Sequence, residues 1–148
     1  MHSFNSLLIH CVWSTKHREK SLDSKLRDRL WLYLGGIAKA NKMKAFAIGG
    51  VADHVHTLVS LPPTLSVAKA VQLLKGNSSK WIHETFRKLH SFEWQEGYGA
   101  FSISISGIDA TVAYIRNQTE HHRTRTFAEE FEAMIRKHGF NYEKRIFD

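Results

Sequence analysis

Apolar and polar positions alternate through SLLIHCVWST, residues 6 to 15, and the run is rich in Leu, Ile, Val and Trp. It predicts a first strand, ended by KHREK. From Leu22 to about Asn41 the period changes: Leu26, Leu30, Trp31, Leu34, Ile37 and Ala38 recur at helical spacing with charged residues between them. KAFAIGGV and HVHTLVSL follow as two short strands around a Gly-Gly and Ala-Asp junction, a hairpin-like pair closed by the turn PPTLS. Val67, Ala70, Val71, Leu74, Trp81, Ile82 and Phe86 mark a second helix over residues 66 to about 89, weakened near KGNSS. WQEGYGAFSISIS is a Gly-punctuated strand ending near Gly107, and a third helix runs from Ile108 to about His122. Thr126 and Glu129 have capping-box spacing at the start of a fourth helix, with Gly139 as its stop.

Strand, helix, strand, strand, helix, strand, with helices appended, predicts an α+β fold. It is the ferredoxin-like βαββαβ arrangement, an antiparallel sheet with helices on one face plus C-terminal helices. The other sheet face is then expected to be free for a ligand. No repeat or linker interrupts the pattern, so residues 1–148 read as one domain, and 148 residues suffice for one buried core.

Composition narrows the partner. A net charge of +7 and ten histidines favour a polyanion, nucleic acid or an acidic membrane. No apolar run nears the length of a membrane span and no signal peptide opens the chain, which selects nucleic acid and a cytoplasmic setting. Cys11 is the only cysteine, so an internal disulfide and a thiolate cluster are excluded, and its apolar surroundings read as core.

In a strand, residues two apart share a face. His54 and His56 therefore project together while Val55, Val59 and Leu61 point the opposite way into the core. Two parallel imidazoles either decorate a solvated face or share a metal ion, and a metal site needs a further ligand from elsewhere. The third helix has an apolar stripe of Ile108, Val112, Ile115 and Thr119, and Tyr114 falls off it, with Asn117, Gln118 and His121 on its side. That face admits a phenol nucleophile with the Gln118 amide oxygen as metal ligand, or a surface tyrosine packed on a neighbour. Tyr33, Tyr98 and Tyr142 are the rival tyrosines.

The fragments HCVWSTKHR, DHVHTLVSLP, LKGNSSKWI, GYGAFSIS, YIRNQTEHH and EEFEAMIRKHGFNYE, in this order, resemble the single-tyrosine HUH transposases of small bacterial insertion sequences over nearly the whole chain. The resemblance implies that His54 and His56, the two histidines of the HUH motif, and Gln118 are metal ligands and that Tyr114 is the nucleophile. It implies a divalent ion, Mg2+ or Mn2+. It also implies transposition through single-stranded DNA with hairpins near the element ends, a bacterial or archaeal host, and a homodimer formed by sheet pairing, with GYGAFSIS as the candidate edge. The chemistry expected is a reversible transfer without ATP through a 5'-phosphotyrosine. His121, on the face of Tyr114, is a candidate base or DNA contact. Lys16, His17, Arg18, Lys75, Lys80, Arg116, Arg123 and Arg125 are candidate phosphate contacts, Arg116 and Arg123 foremost. The alternatives are a domesticated relative acting on repeated chromosomal hairpins and a non-catalytic single-stranded nucleic-acid-binding module. A run like GFGFV, expected of an RNA-recognition sheet, does not occur.

Overall fold

A computed structural model describes residues 2–139; Tyr142 and the end of the last quoted fragment lie outside them. Four strands, β1 (Leu8–Ser14), β2 (Lys44–Val51), β3 (His54–Ser60) and β4 (Gly99–Ile103), form one antiparallel sheet in the order β2-β3-β1-β4. Helices α1 (Ser24–Ala40) and α2 (Val67–Thr85) cover one face. The ferredoxin-like reading holds. None of the described helices is long and apolar enough to cross a membrane.

The two faces follow from the strand alternation. Cys11 and Trp13 of β1 and Val55 and Val59 of β3 turn toward Leu26, Leu30 and Leu34 of α1 and Val71, Leu74 and Ile82 of α2. Burial raises the Cys11 thiol to about 12, which leaves it an inert core side chain. Asp23 and Ser66 cap α1 and α2, accepting from the Leu26 and Lys69 amides. Helix α2 continues through KGNSS without interruption, because Ser78 is buried there with its hydroxyl between the Lys75 carbonyl and the Trp94 indole N–H. Tertiary hydrogen bonds outweigh the weak local propensity. Tyr33 stacks on Trp81 at 4.7 Å and so ties α1 to α2.

The structure departs from the sequence pattern in three main places. The fourth strand is only Gly99–Ile103, because residues 95–98 form a loop whose Gln95 and Gly97 carbonyls accept from the Lys75 ammonium. The third helix breaks at Asn117 into α3 (Ile108–Arg116) and the short α4 (Gln118–His121), so Thr119 is exposed and does not extend the apolar stripe. The second sheet face is also not free. The apolar side of α3 packs Ile115 on Ala47 and Leu58, and α5 (Phe127–Lys137) packs Phe127 and Ile135 on Val12 and Phe101. Burying a side chain such as Phe127 is worth about 1.5–3 kcal/mol, so these stripes hold the helices onto the sheet. The Thr126–Glu129 capping box opens α5, and Gly139 follows its end at a φ of 83°.

Each of these two helices crosses its strand at a glycine. A Cβ on Gly49 would lie 2.8 Å from the Ile115 carbonyl oxygen, and one on Gly99 would lie 2.6 Å from the Phe131 ring. The obstacle above Gly49 is backbone, which cannot rotate away. We expect Gly49→Ala to lift α3, lowering thermal stability by about 1–3 kcal/mol. Unchanged melting would show that the contact does not position the helix that carries Tyr114.

Candidate active site

Since α3 lies over β2 and β3 and α5 over β1 and β4, a seam between the two helices runs above the paired central strands. The second face of those strands carries His54 and His56 from β3 and His10 from β1, all buried. Tyr114 and Gln118 enter the seam from the α3–α4 side and Glu130 enters from α5. Side chains as far apart as residues 10 and 130 thus meet in one cluster.

Glu130 is its hub. Its Oε1 lies 3.0 Å from His56 Nε2, 3.1 Å from His122 Nε2 and 3.2 Å from His54 Nε2. Its Oε2 accepts from the Tyr114 hydroxyl and, at 3.1 Å, from Gln118 Nε2. That donation leaves Gln118 Oε1 directed at His54 Nε2, 2.9 Å away. Outer partners orient the rings: Asp53 Oδ1 is 2.7 Å from His54 Nδ1, the Arg125 carbonyl oxygen is 2.8 Å from His122 Nδ1, and His10 Nε2 is 2.9 Å from His56 Nδ1.

These partners decide what the cluster can hold. His54 and His122 each give their Nδ1 proton to an oxygen, so in the neutral ring Nε2 carries a lone pair. Both Nε2 lone pairs then face oxygens that also have only lone pairs to offer, Glu130 Oε1 and, for His54, Gln118 Oε1. Such a set is satisfied by charging the imidazoles or by a cation placed among them. The residues fit a divalent metal ion.

The electrostatics agree. Burial opposes charge on His54, but the hydrogen bonds to Asp53 and Glu130 outweigh it and raise the imidazole to about 9. Burial lowers His56, and burial together with the neighbouring His56 lowers His10 to about 3, so His10 stays a neutral partner. Burial also opposes charge on Glu130, yet hydrogen bonds from His54 and His56 hold its carboxyl far below the usual range. Burial, then the carboxylate of Glu130, pushes the Tyr114 phenol above its ordinary value. The His121 ring packs on the Tyr114 ring at 4.6 Å, while the group that hydrogen-bonds the phenol is Glu130.

Of the candidate DNA contacts, the fold brings Arg18 and Arg125 together. With Lys20, Arg27, Asp53 and His122 they line a cleft of about 610 Å3 beside the histidines. Lys16 is paired with Glu93 at 2.7 Å and Arg123 with Glu120 at 3.4 Å, both on the surface. Arg116 and Lys80 are exposed on α3 and α2, outside the residues lining that cleft. Lys75 is half-buried with its ammonium on two loop carbonyls.

Glu130, His122, His10 and Asp53 were not singled out by the sequence pattern. Glu130 had a signal: with Thr126 as cap, Phe127, Glu130, Phe131, Met134 and Ile135 form one i, i+3, i+4, i+7, i+8 stripe, and an acid on an apolar stripe needs a partner. His10 sits likewise on the face of β1 that bears Val12 two residues on.

A family model described as IS200-like transposase matches residues 3–118. The ISDra2 transposase TnpA of Deinococcus radiodurans is 29% identical over 85 residues, 57% of this chain and 61% of that protein. The transposase of insertion sequence element IS200 from Salmonella typhimurium is 29% identical over 80 residues, 54% and 53% of the two chains. The matches thus span about half to three-fifths of the length of these relatives. A crystallised Deinococcus radiodurans protein assigned as a transposase superposes with a TM-score of 0.67 at 27% identity, over 80% of this chain and 95% of the other. A REP-associated tyrosine transposase bound to a REP hairpin shares the fold, with a TM-score of 0.62 at 14% identity over 82% and 72%.

Proposed function

This chain belongs to the IS200-like transposase family, and on that premise we propose that it cuts and rejoins single-stranded DNA at hairpin-marked element ends through a 5'-phosphotyrosine on Tyr114. The observation that carries the reading is the meeting of Tyr114 and Gln118 with the paired strand histidines around one carboxylate. A surface tyrosine or a solvated histidine pair has no reason to converge in this way.

His54, His56 and Gln118 would hold Mg2+ or Mn2+, which supplies positive charge to the phosphate oxygens and polarises the scissile bond. Tyr114 is held by its hydrogen bond to Glu130 and needs little reorientation to meet a phosphate entering the seam. Its oxygen attacks phosphorus, the bond to the 3' oxygen breaks, and the phenol proton leaves along the bond to Glu130 while a proton ends on the released 3'-hydroxyl. One phosphoester replaces another, so the step reverses onto a different 3' end without ATP. The homodimer would form through β4, which lies at the edge of the sheet.

Arg18, Lys20, Arg27 and Arg125 would bind the phosphates that lead into the site. Affinity for single-stranded DNA should then fall steeply with salt, with a logarithmic slope of about 0.7 per neutralised phosphate. Arg18→Ala combined with Arg125→Ala is expected to reduce the slope by about 1.4 in a binding titration against NaCl; an unchanged slope would place the DNA elsewhere. Labelled hairpin DNA incubated with the protein and Mn2+ should yield a covalent adduct on a denaturing gel. Absence of any adduct over a range of hairpin substrates would remove the proposed reaction.

A further inference from the structure

A second cavity, of about 340 Å3, opens between α3 and α5, and of its lining residues only Arg125 is shared with the cation-lined cleft. Tyr114 borders it. Ala110 and Ala133 line it from the two helices, and their small side chains leave open a gap that longer ones would fill. Met134 adds a thioether, a soft partner for an aromatic ring. His10 belongs to the lining although it is only 5% exposed. Its Nε2 is engaged by His56, and its Nδ1 has no hydrogen-bond partner among the described residues. Arg125 and Lys137 line the same cavity, and neither is ion-paired with an acid among the described residues.

Small apolar walls, one ring nitrogen on offer and two cations suit a nucleotide, with its base between the helices and its phosphate on the cations. Small-ligand sites run from about 300 to about 1,000 Å3, so this one is sized for a single nucleotide. We propose that the cavity takes the base of the nucleotide that stays joined to Tyr114, the one on the 3' side of the scissile phosphate, and so gives the protein a base preference of its own at that position. The inference rests on the phosphotyrosine reading and deepens it. In an in-line displacement the departing 3' oxygen lies across phosphorus from the attacking phenol. A cavity bordered by Tyr114 is therefore on the side of the nucleoside that keeps the phosphate, and the departing one is directed away from it. Arg125, common to both openings, would hold the backbone between the cleft and the seated nucleotide.

The first test is a magnetic-resonance titration of the full chain, carrying isotope-labelled alanine methyl groups, with dAMP, dGMP, dCMP or dTMP. Each of these is a candidate retained nucleotide with its 5' phosphate. At least one should shift the Ala110 and Ala133 methyl signals saturably, and deoxyribose 5-phosphate, which lacks the base, should leave them in place at the same concentration. Ala133→Leu fills the cavity from an exposed helix position and should weaken the nucleotide, read at Ala110, by about ten- to a hundredfold. The second test puts an abasic site just 3' of the mapped cleavage position in labelled hairpin DNA, which should lower adduct formation by about tenfold or more. Combined with Ala133→Leu it should cost little beyond either change alone, since both empty the same contact. Unmoved methyl signals with all four nucleotides, equal shifts with the sugar phosphate, or equal adduct formation with and without the base would each overturn the proposal. Methyl shifts in a protein that forms no adduct with any hairpin would keep the cavity as a nucleotide site and remove the reaction on Tyr114 instead.

Discussion

Tyr114→Phe is expected to abolish the covalent protein–DNA adduct, a loss of at least about a thousandfold, while binding of hairpin DNA stays within about twofold. The change deletes one oxygen. The ring contacts with His10, His56 and His121 do not depend on that oxygen and should survive. Stability should change little, because Glu130 Oε2 keeps its hydrogen bond from Gln118. Denaturing gels of labelled DNA measure the adduct and gel shifts measure binding. An adduct formed at the parental rate by the Phe variant would place the nucleophile on another residue, with exposed Tyr98 the first to examine.

His56→Ala is expected to lower cleavage by two orders of magnitude or more, and a chelator should reduce the parent to a similar level. His56 is fully buried, bonded to Glu130 on one side and to His10 on the other, so removing it would delete a proposed ion ligand and leave the carboxylate one donor short. The lost donor should also destabilise the metal-free protein by about 1–3 kcal/mol. Cleavage rates with and without Mn2+, beside thermal melts of both proteins, separate the two effects. A parental rate in protein stripped of every divalent ion would contradict the metal role, whatever the melts show.

Some of the site was legible one residue at a time. The spacing of His54 and His56 in a strand of period two is enough to put both rings on one face, and Val55 and Val59 enter the opposite core as that period requires. Tyr114 and Gln118 are one helical turn apart, and the break at Asn117 leaves both in the seam. Lys75 was not legible. A lysine between a helix and a loop looks the same in sequence whether its ammonium meets DNA or two backbone carbonyls. The covering of the second face was legible only in part, in the stripe of α5, an apolar surface in need of a partner.

Local periodicity determined the strands, the helices, their order and therefore the ferredoxin-like fold, because alternation and helical stripes are properties of short segments that bury one side. Which side chains share the seam was decided by tertiary packing alone. Glu130 reaches the histidines only because α5 settles on Val12 and Phe101 and α3 on Gly49, and contacts across dozens of residues leave no periodic trace in the chain.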